Sequence, residues 1–260
     1  MQTPIRLTKR IFSFRFSVLS FSETVDRIIM LAVKKQSAYI CVANVHMTVE
    51  AKRNEVFAQV LKGADIALLD GKPLCWAMRI LHDIKPERIA GRHLMHALME
   101  AAVTSQQQVF FYGSTPETLH KAHVFLLVNY PGIQIAGMYS PPFRKLSEEE
   151  DAAVVTLIKS SGASMVFVAL GCPKQENWMA AMKGKIPAVM LGIGVALEIL
   201  TAQQRSSPKW MEHAGLEWLF RLMKEPRRLF RRYFVTNSIF IGMLGSVLYK
   251  KYLVKSIISK

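Results

Sequence analysis

Asp70 closes an apolar run, Ile66-Ala67-Leu68-Leu69, and Gly71 follows it. A carboxylate with an apolar floor and one open side loses part of its hydration. That raises its pKa and suits it to accept a proton from a hydroxyl. The same spacing is met equally by an ordinary Asp-Gly turn. Asn44 ends a second apolar run, and its amide offers both a donor and an acceptor to a sugar hydroxyl. His46 fits a binding or proton-shuttling role and fits a structural one as well. His93 and His96 stand an i,i+3 step apart, yet no acid completes a metal triad, so no metal is expected; the site as a whole is read with no cofactor.

Two further stretches carry polar groups at the end of an apolar run. Gly113-Ser114-Thr115-Pro116 reads as the opening of a helix, whose backbone N–H groups and positive dipole end favour phosphate. It lacks the GxGxxG and GxxxxGK[ST] patterns, which argues against dinucleotide and P-loop chemistry. In Gly171-Cys172-Pro173-Lys174-Gln175-Glu176, Lys174 suits a phosphate and Gln175 a sugar. Cys172 has no histidine paired with it in sequence and reads as a small loop residue.

The elements that must position these residues alternate. Short apolar runs at 38–44, 64–70, 108–113, 164–171 and 188–192 do not alternate polar and apolar residues, as expected of strands buried on both faces. Helical spacing fills 22–35, 45–62, 92–104, 116–128, 147–160 and 174–183. The expectation is an α/β fold with a mostly parallel, Rossmann-like sheet and helices on both faces. In such sheets ligands bind outside the carboxyl ends of the strands, where Asn44, Asp70, Gly113, Gly171 and Gly192 all stand.

The chain has 260 residues, 51% of them hydrophobic and 20% charged, which excludes a disordered chain. Three well-separated cysteines exclude a disulfide scaffold and a CxxC-type zinc site. The N-terminal stretch has no clean apolar segment or small-residue cleavage site, so no secretory signal is expected. The net charge is +15, and from Arg205 onward twelve basic residues face three acids, Glu212, Glu217 and Glu225, for a local +9. Such a tail needs an anionic partner. Aromatic residues interleave with arginines over 205–232, and the nearly apolar stretch 233–249 is bounded by basic pairs. It reads as an interfacial segment rather than a spanning one; a basic solvated helix packed on the core is the competing reading. The division expected is a core at 1–204 and a basic, amphipathic helical appendage at 205–260.

The motifs ANVHMTVEA (43–51), LLDGKPLCWAMR (68–79), ERIAGRHLM (87–95), VFFYGSTPE (109–117), VALGCPKQENW (168–178), LGIGVALEIL (191–200) and RSSPKWMEHAGLEWLFRLMKEPRRLFRRY (205–233) together resemble the WecG/TagA/CpsF family of bacterial glycosyltransferases. The resemblance implies inverting transfer from a UDP-sugar to a polyprenyl-diphosphate-linked saccharide, in surface or exopolysaccharide synthesis, by a peripheral protein at the cytoplasmic face of the inner membrane. It makes Asp70 the catalytic base and gives substrate-binding roles to Asn44, Arg88 and Gln175. It places Arg221, Arg228 and Arg231 in a segment that docks on an anionic membrane surface and binds diphosphate. Gly113 and Lys174 join the site as the diphosphate end. Val42 stands where the family often has a threonine; Val195 replaces a glycine and Glu198 an aspartate, two changes that bear on the donor sugar pocket. A homo-oligomer is a possible assembly. No nucleic-acid partner is expected; the alternative is a non-catalytic protein that binds a sugar nucleotide or nucleic acid.

Overall fold

The computed structural model describes residues 8–201, 207, 208, 210, 211 and 215–258, and the side chains of these except Arg228 and 252–258. The expected 204/205 boundary, and Arg205 and Lys209 beyond it, lie outside the described residues.

A hairpin, β1 (Thr8–Ile11) and β2 (Phe14–Ser17), opens the described chain. It is followed by α1 (Phe21–Val33), β3 (Ala38–Ala43), α2 (Val45–Arg53), α3 (Glu55–Lys62), β4 (Ile66–Leu69) and α4 (Lys72–His82). Next come α5 (Gly91–Thr104), β5 (Gln108–Gly113), α6 (Pro116–Asn129), β6 (Gln134–Tyr139) and α7 (Glu148–Ser160). The chain continues with β7 (Met165–Ala169), α8 (Lys174–Met182), β8 (Val189–Gly192) and α9 (Ala196–Leu200), and ends in two tail helices, α10 (Glu217–Lys224) and α11 (Pro226–Ile258).

Six strands form one all-parallel sheet in the order β4-β3-β8-β7-β5-β6. Alternate side chains build two cores. Tyr39, Cys41, Phe110, Tyr112, Val166 and Met190 pack under α2, α3, α4, α7 and α8. Ile40, Leu68, Phe111, Phe167 and Leu191 pack under α1, α5, α6 and α9. Burial on both faces is why the strands read as unbroken apolar runs.

The expected strands and the parallel sheet are present. The helix expected across 45–62 is instead two, because Asn54 is extended (φ −128°, ψ 109°) and its side chain caps α3 by accepting from Phe57 N–H. The hairpin, β6 and α4 were not anticipated. β6 is a half-exposed edge strand in which Gln134 and Gly137 interrupt the apolar pattern.

The tail helix α11 lies on α2, burying Leu229, Thr236 and Phe240. The Phe240 ring meets Phe12 of the hairpin edge-on at 5.5 Å, and Lys251 Nζ donates to Leu81 O at 2.9 Å near the end of α4. Its other side carries Phe230, Phe234, Ile241 and Tyr249 into solvent. No helix among the described residues is long and apolar enough to cross a membrane.

Candidate active site

Because all six strands run the same way, their carboxyl ends share one edge, and Asn44, Asp70, Gly113, Gly171 and Gly192 all stand along it. They are not equidistant. β3 and β4 are neighbours, whereas β5 lies four strand spacings from β4, ~19 Å away.

The tightest cluster forms at β3 and β4. Asp70 N–H donates to Ala43 O at 2.8 Å, which seats Asp70 beside the start of α2. Gly71 then turns at φ +96°, a conformation that favours glycine, and opens α4. On the outer side of β4, Ile89 N–H donates to Leu69 O at 3.0 Å and the Ile89 side chain is buried. That anchor sets Arg88 against the site, its Nε 3.8 Å from Asp70 Oδ1. The other end of the guanidinium donates directly to Glu217 at the start of α10. The Asp70 side chain retains 30% exposure. Burial pushes its pKa up to about 6; Arg88 opposes that rise, Glu217 adds to it, and Arg221 and Arg92 oppose it. This carboxylate is therefore ionised at neutral pH yet more basic than an ordinary aspartate, and it lies open on one side.

Asn44 caps α2, its side-chain oxygen accepting Met47 N–H at 3.1 Å. Its amide NH₂ has no hydrogen-bond partner among the described residues and stands at the open edge. His46 follows on α2. Burial and then the charge of Arg232 hold its pKa below the usual histidine value, against the pull of Glu50.

The middle of the edge is built differently. Gln175 is 5% exposed, and its Oε1 accepts Gly171 N–H at 3.2 Å and Gly194 N–H at 3.0 Å. Its Nε2 donates to buried Glu176 at 2.7 Å. A Cβ on Gly192 would come within 2.6 Å of that Nε2, so only glycine leaves the amide its place. Gln175 thus ties the β7 loop to the β8 loop from a buried position. Lys174 beside it is exposed. Glu198 is half-buried in the first turn of α9.

At β5, Ser114 N–H donates to Ala169 O at 2.9 Å and the Thr115 side chain accepts Thr118 N–H at 3.2 Å. Part of the helix start behind Gly113 is therefore spent on the protein itself. His96 pairs with Tyr130 OH away from the edge.

Of the tail arginines, Arg221 lies close enough to Asp70 to lower its pKa, and Arg231 is exposed. The Arg228 side chain lies outside what is described. Arg232, which sequence reading passed over, turns inward: its Nε is buried with no hydrogen-bond partner, and its charge acts on His46. Glu217 was counted only as one of three acids in the basic tail. Its rarity there, in the first turn of a helix, is the signal that could have marked it.

Residues 9–253 match the family model described as Glycosyl transferase WecG/TagA/CpsF family. Among curated proteins, the N-acetylglucosaminyldiphosphoundecaprenol N-acetyl-beta-D-mannosaminyltransferase of Bacillus spizizenii is 32% identical over 196 residues, covering 75% of this chain and 74% of that one.

Proposed function

The chain belongs to the WecG/TagA/CpsF family of glycosyl transferases, and from that membership we propose that it moves a sugar from a UDP-sugar to a polyprenyl-diphosphate-linked saccharide with inversion, using Asp70 as base. The enzyme class follows from the family. The acceptor class follows the relative's name, which specifies a diphosphoundecaprenol carrying N-acetylglucosamine. The reading as a non-catalytic sugar-nucleotide or nucleic-acid binder has no support.

One observation carries the mechanism: the half-open Asp70 carboxylate, its pKa raised by burial to about 6, at the sheet edge between the Asn44 amide and Arg88. Above that pH it is ionised and basic enough to take the proton of the acceptor hydroxyl as the oxygen attacks the anomeric carbon. Such general-base help contributes roughly 10²–10⁴-fold. The departing UDP gains negative charge, which Arg88, Arg221 and Lys174 offset in this reading. Asn44 holds a sugar hydroxyl through its unused amide. Gln175 acts by setting the backbone of the two loops around the donor.

The acceptor is lodged in a bilayer, so the enzyme must approach the surface. The exposed stripe of Phe230, Phe234, Ile241 and Tyr249, with Arg227 and Arg231 beside it, suits the headgroup layer of an anionic leaflet. This supports peripheral docking on such a surface, which the reading sets at the cytoplasmic face. Removing the whole tail would also strip the buried Leu229 and Phe240 from α2, so surface substitutions are the cleaner probe.

The experiment is UDP release with a synthetic lipid-diphosphate acceptor in anionic vesicles. Asp70→Asn is expected to lose 10²–10⁴-fold in turnover while still binding UDP, and near-normal turnover would remove Asp70 as base. In the same assay Phe230→Ser/Phe234→Ser should lose vesicle binding yet keep its fold, and unchanged binding would remove the docking role.

A further inference from the structure

We propose that Glu217, delivered by the tail helix α10, is a positioning residue that keeps Asp70 basic by holding Arg88 away from it. This rests on the reading of Asp70 as base and adds a residue to it.

The geometry is a three-member chain. Arg88 sits between two carboxylates and treats them unequally. Its Nη2 donates directly to Glu217, while its Nε stays 3.8 Å from Asp70, beyond hydrogen-bond reach. The Arg88 side chain is only 18% exposed and that of Glu217 22%, so water does little to loosen the pair. A guanidinium in this pocket with no second carboxylate would close on Asp70 and form a charge-assisted, bidentate pair. Both Asp70 oxygens would then be occupied, and its affinity for a proton would fall. Glu217 prevents this by taking one arm of the fork.

The remaining charges around Asp70 do not substitute for it. Lys72 and Cys75 lie on α4, Arg92 on α5 and Arg221 on α10. Arg92 and Arg221 favour the ionised carboxylate, and Cys75 is a neutral thiol held up at about 11. Glu217 is therefore the one neighbouring acid that acts on Asp70 among the described residues. Its contact also spans two regions, since Arg88 precedes α5 and Glu217 comes from the tail. Gly215, two residues before Glu217, packs against the stem of Lys72 and helps to seat that turn. Seating of the tail and the basicity of the carboxylate are thus linked through a single guanidinium.

The test titrates Asp70 directly in the full chain. With ¹³C-carboxyl aspartate, the Asp70 resonance is assigned by its loss in Asp70→Asn, and its midpoint is followed with pH. Glu217→Gln keeps the shape and removes the charge. Its midpoint is expected to drop by about 0.5 unit or more, and the acid limb of the kcat/KM profile should drop with it, at unchanged KM for the UDP-sugar. A role confined to holding the tail in place would change thermal stability and leave the midpoint alone. If the Gln variant does not fold, Glu217→Asp carries the test, because its shorter reach releases Arg88 and gives a smaller drop of the same sign. An unchanged midpoint in whichever of the two variants folds overturns the proposal. Should the midpoint drop while Asp70→Asn still turns over normally, the positioning stands and the assignment of Asp70 as base fails.

Discussion

Two neighbouring places on one sheet edge hold polar residues that look alike in sequence and are used in opposite ways. At β3 and β4, the Asn44 amide and the Asp70 carboxylate keep bonding capacity open to the edge, and Arg88 is shared between two acids. At β7 and β8, Gln175 is buried and spends its amide on Gly171, Gly194 and Glu176. Behind it Trp178 stacks on Tyr112 at 4.2 Å, which anchors α8 against the sheet. The contrast teaches that polarity at a strand end does not by itself mark a ligand contact. A group whose bonds are all met within the protein builds the wall of a site. A group both short of partners and open to the edge is the one free to meet a ligand.

The comparison breaks most readily at its closed end. Gln175→Ala strands two backbone donors and one oxygen of Glu176, and each unsatisfied buried group costs about 1–3 kcal/mol. A loss of about 3 kcal/mol or more in denaturant unfolding is expected. A loss below about 1 kcal/mol, with UDP binding gone, would instead make Gln175 a direct ligand.

The open end should behave in the reverse sense. The folded pKa of Asp70 is raised from 3.8 to about 6, so the wild-type chain loses stability as pH rises through that window. Asp70→Asn carries no charge and escapes the loss. The variant should match wild type near about pH 4 and be more stable above about pH 7, by up to about 3 kcal/mol. A thermal-unfolding series over pH checks this, and a variant less stable at every pH would contradict it.

The smallest effect sharpens the contrast between the two carboxylates. Burial raises the pKa of Glu176 too, but Glu176 faces Gln175 and Cys172 rather than the open edge. Glu176→Gln should leave turnover near normal and change stability by less than about 1.5 kcal/mol at mildly acid pH. Because the wild-type acid loses stability as pH rises through its raised pKa, the variant should gain on wild type with pH. A turnover loss comparable to that of Asp70→Asn would place Glu176 in the chemistry.

Much of this was legible before any coordinates. Apolar runs such as Met165-Val166-Phe167-Val168 announce a strand buried on both faces, and strands alternating with helices announce a parallel sheet. A shared strand direction then obliges Asn44 and Asp70 to face the same edge. What stayed hidden depends on neighbours distant in sequence. The break at Asn54 follows from an extended residue that caps the next helix, and a periodicity that runs on through it gives no warning.

The sequence by itself determined the layers and the edge along which Asn44 and Asp70 stand, because hydrophobic period and strand ends are local properties of the chain. Only the tertiary structure decided which polar groups remain available and which arginine turns inward. It also decided that Glu217, 147 positions after Asp70, acts on it through Arg88. Burial and charge pairing are sums over everything that packs around a group, and those neighbours exist only once the tail has folded back onto the sheet.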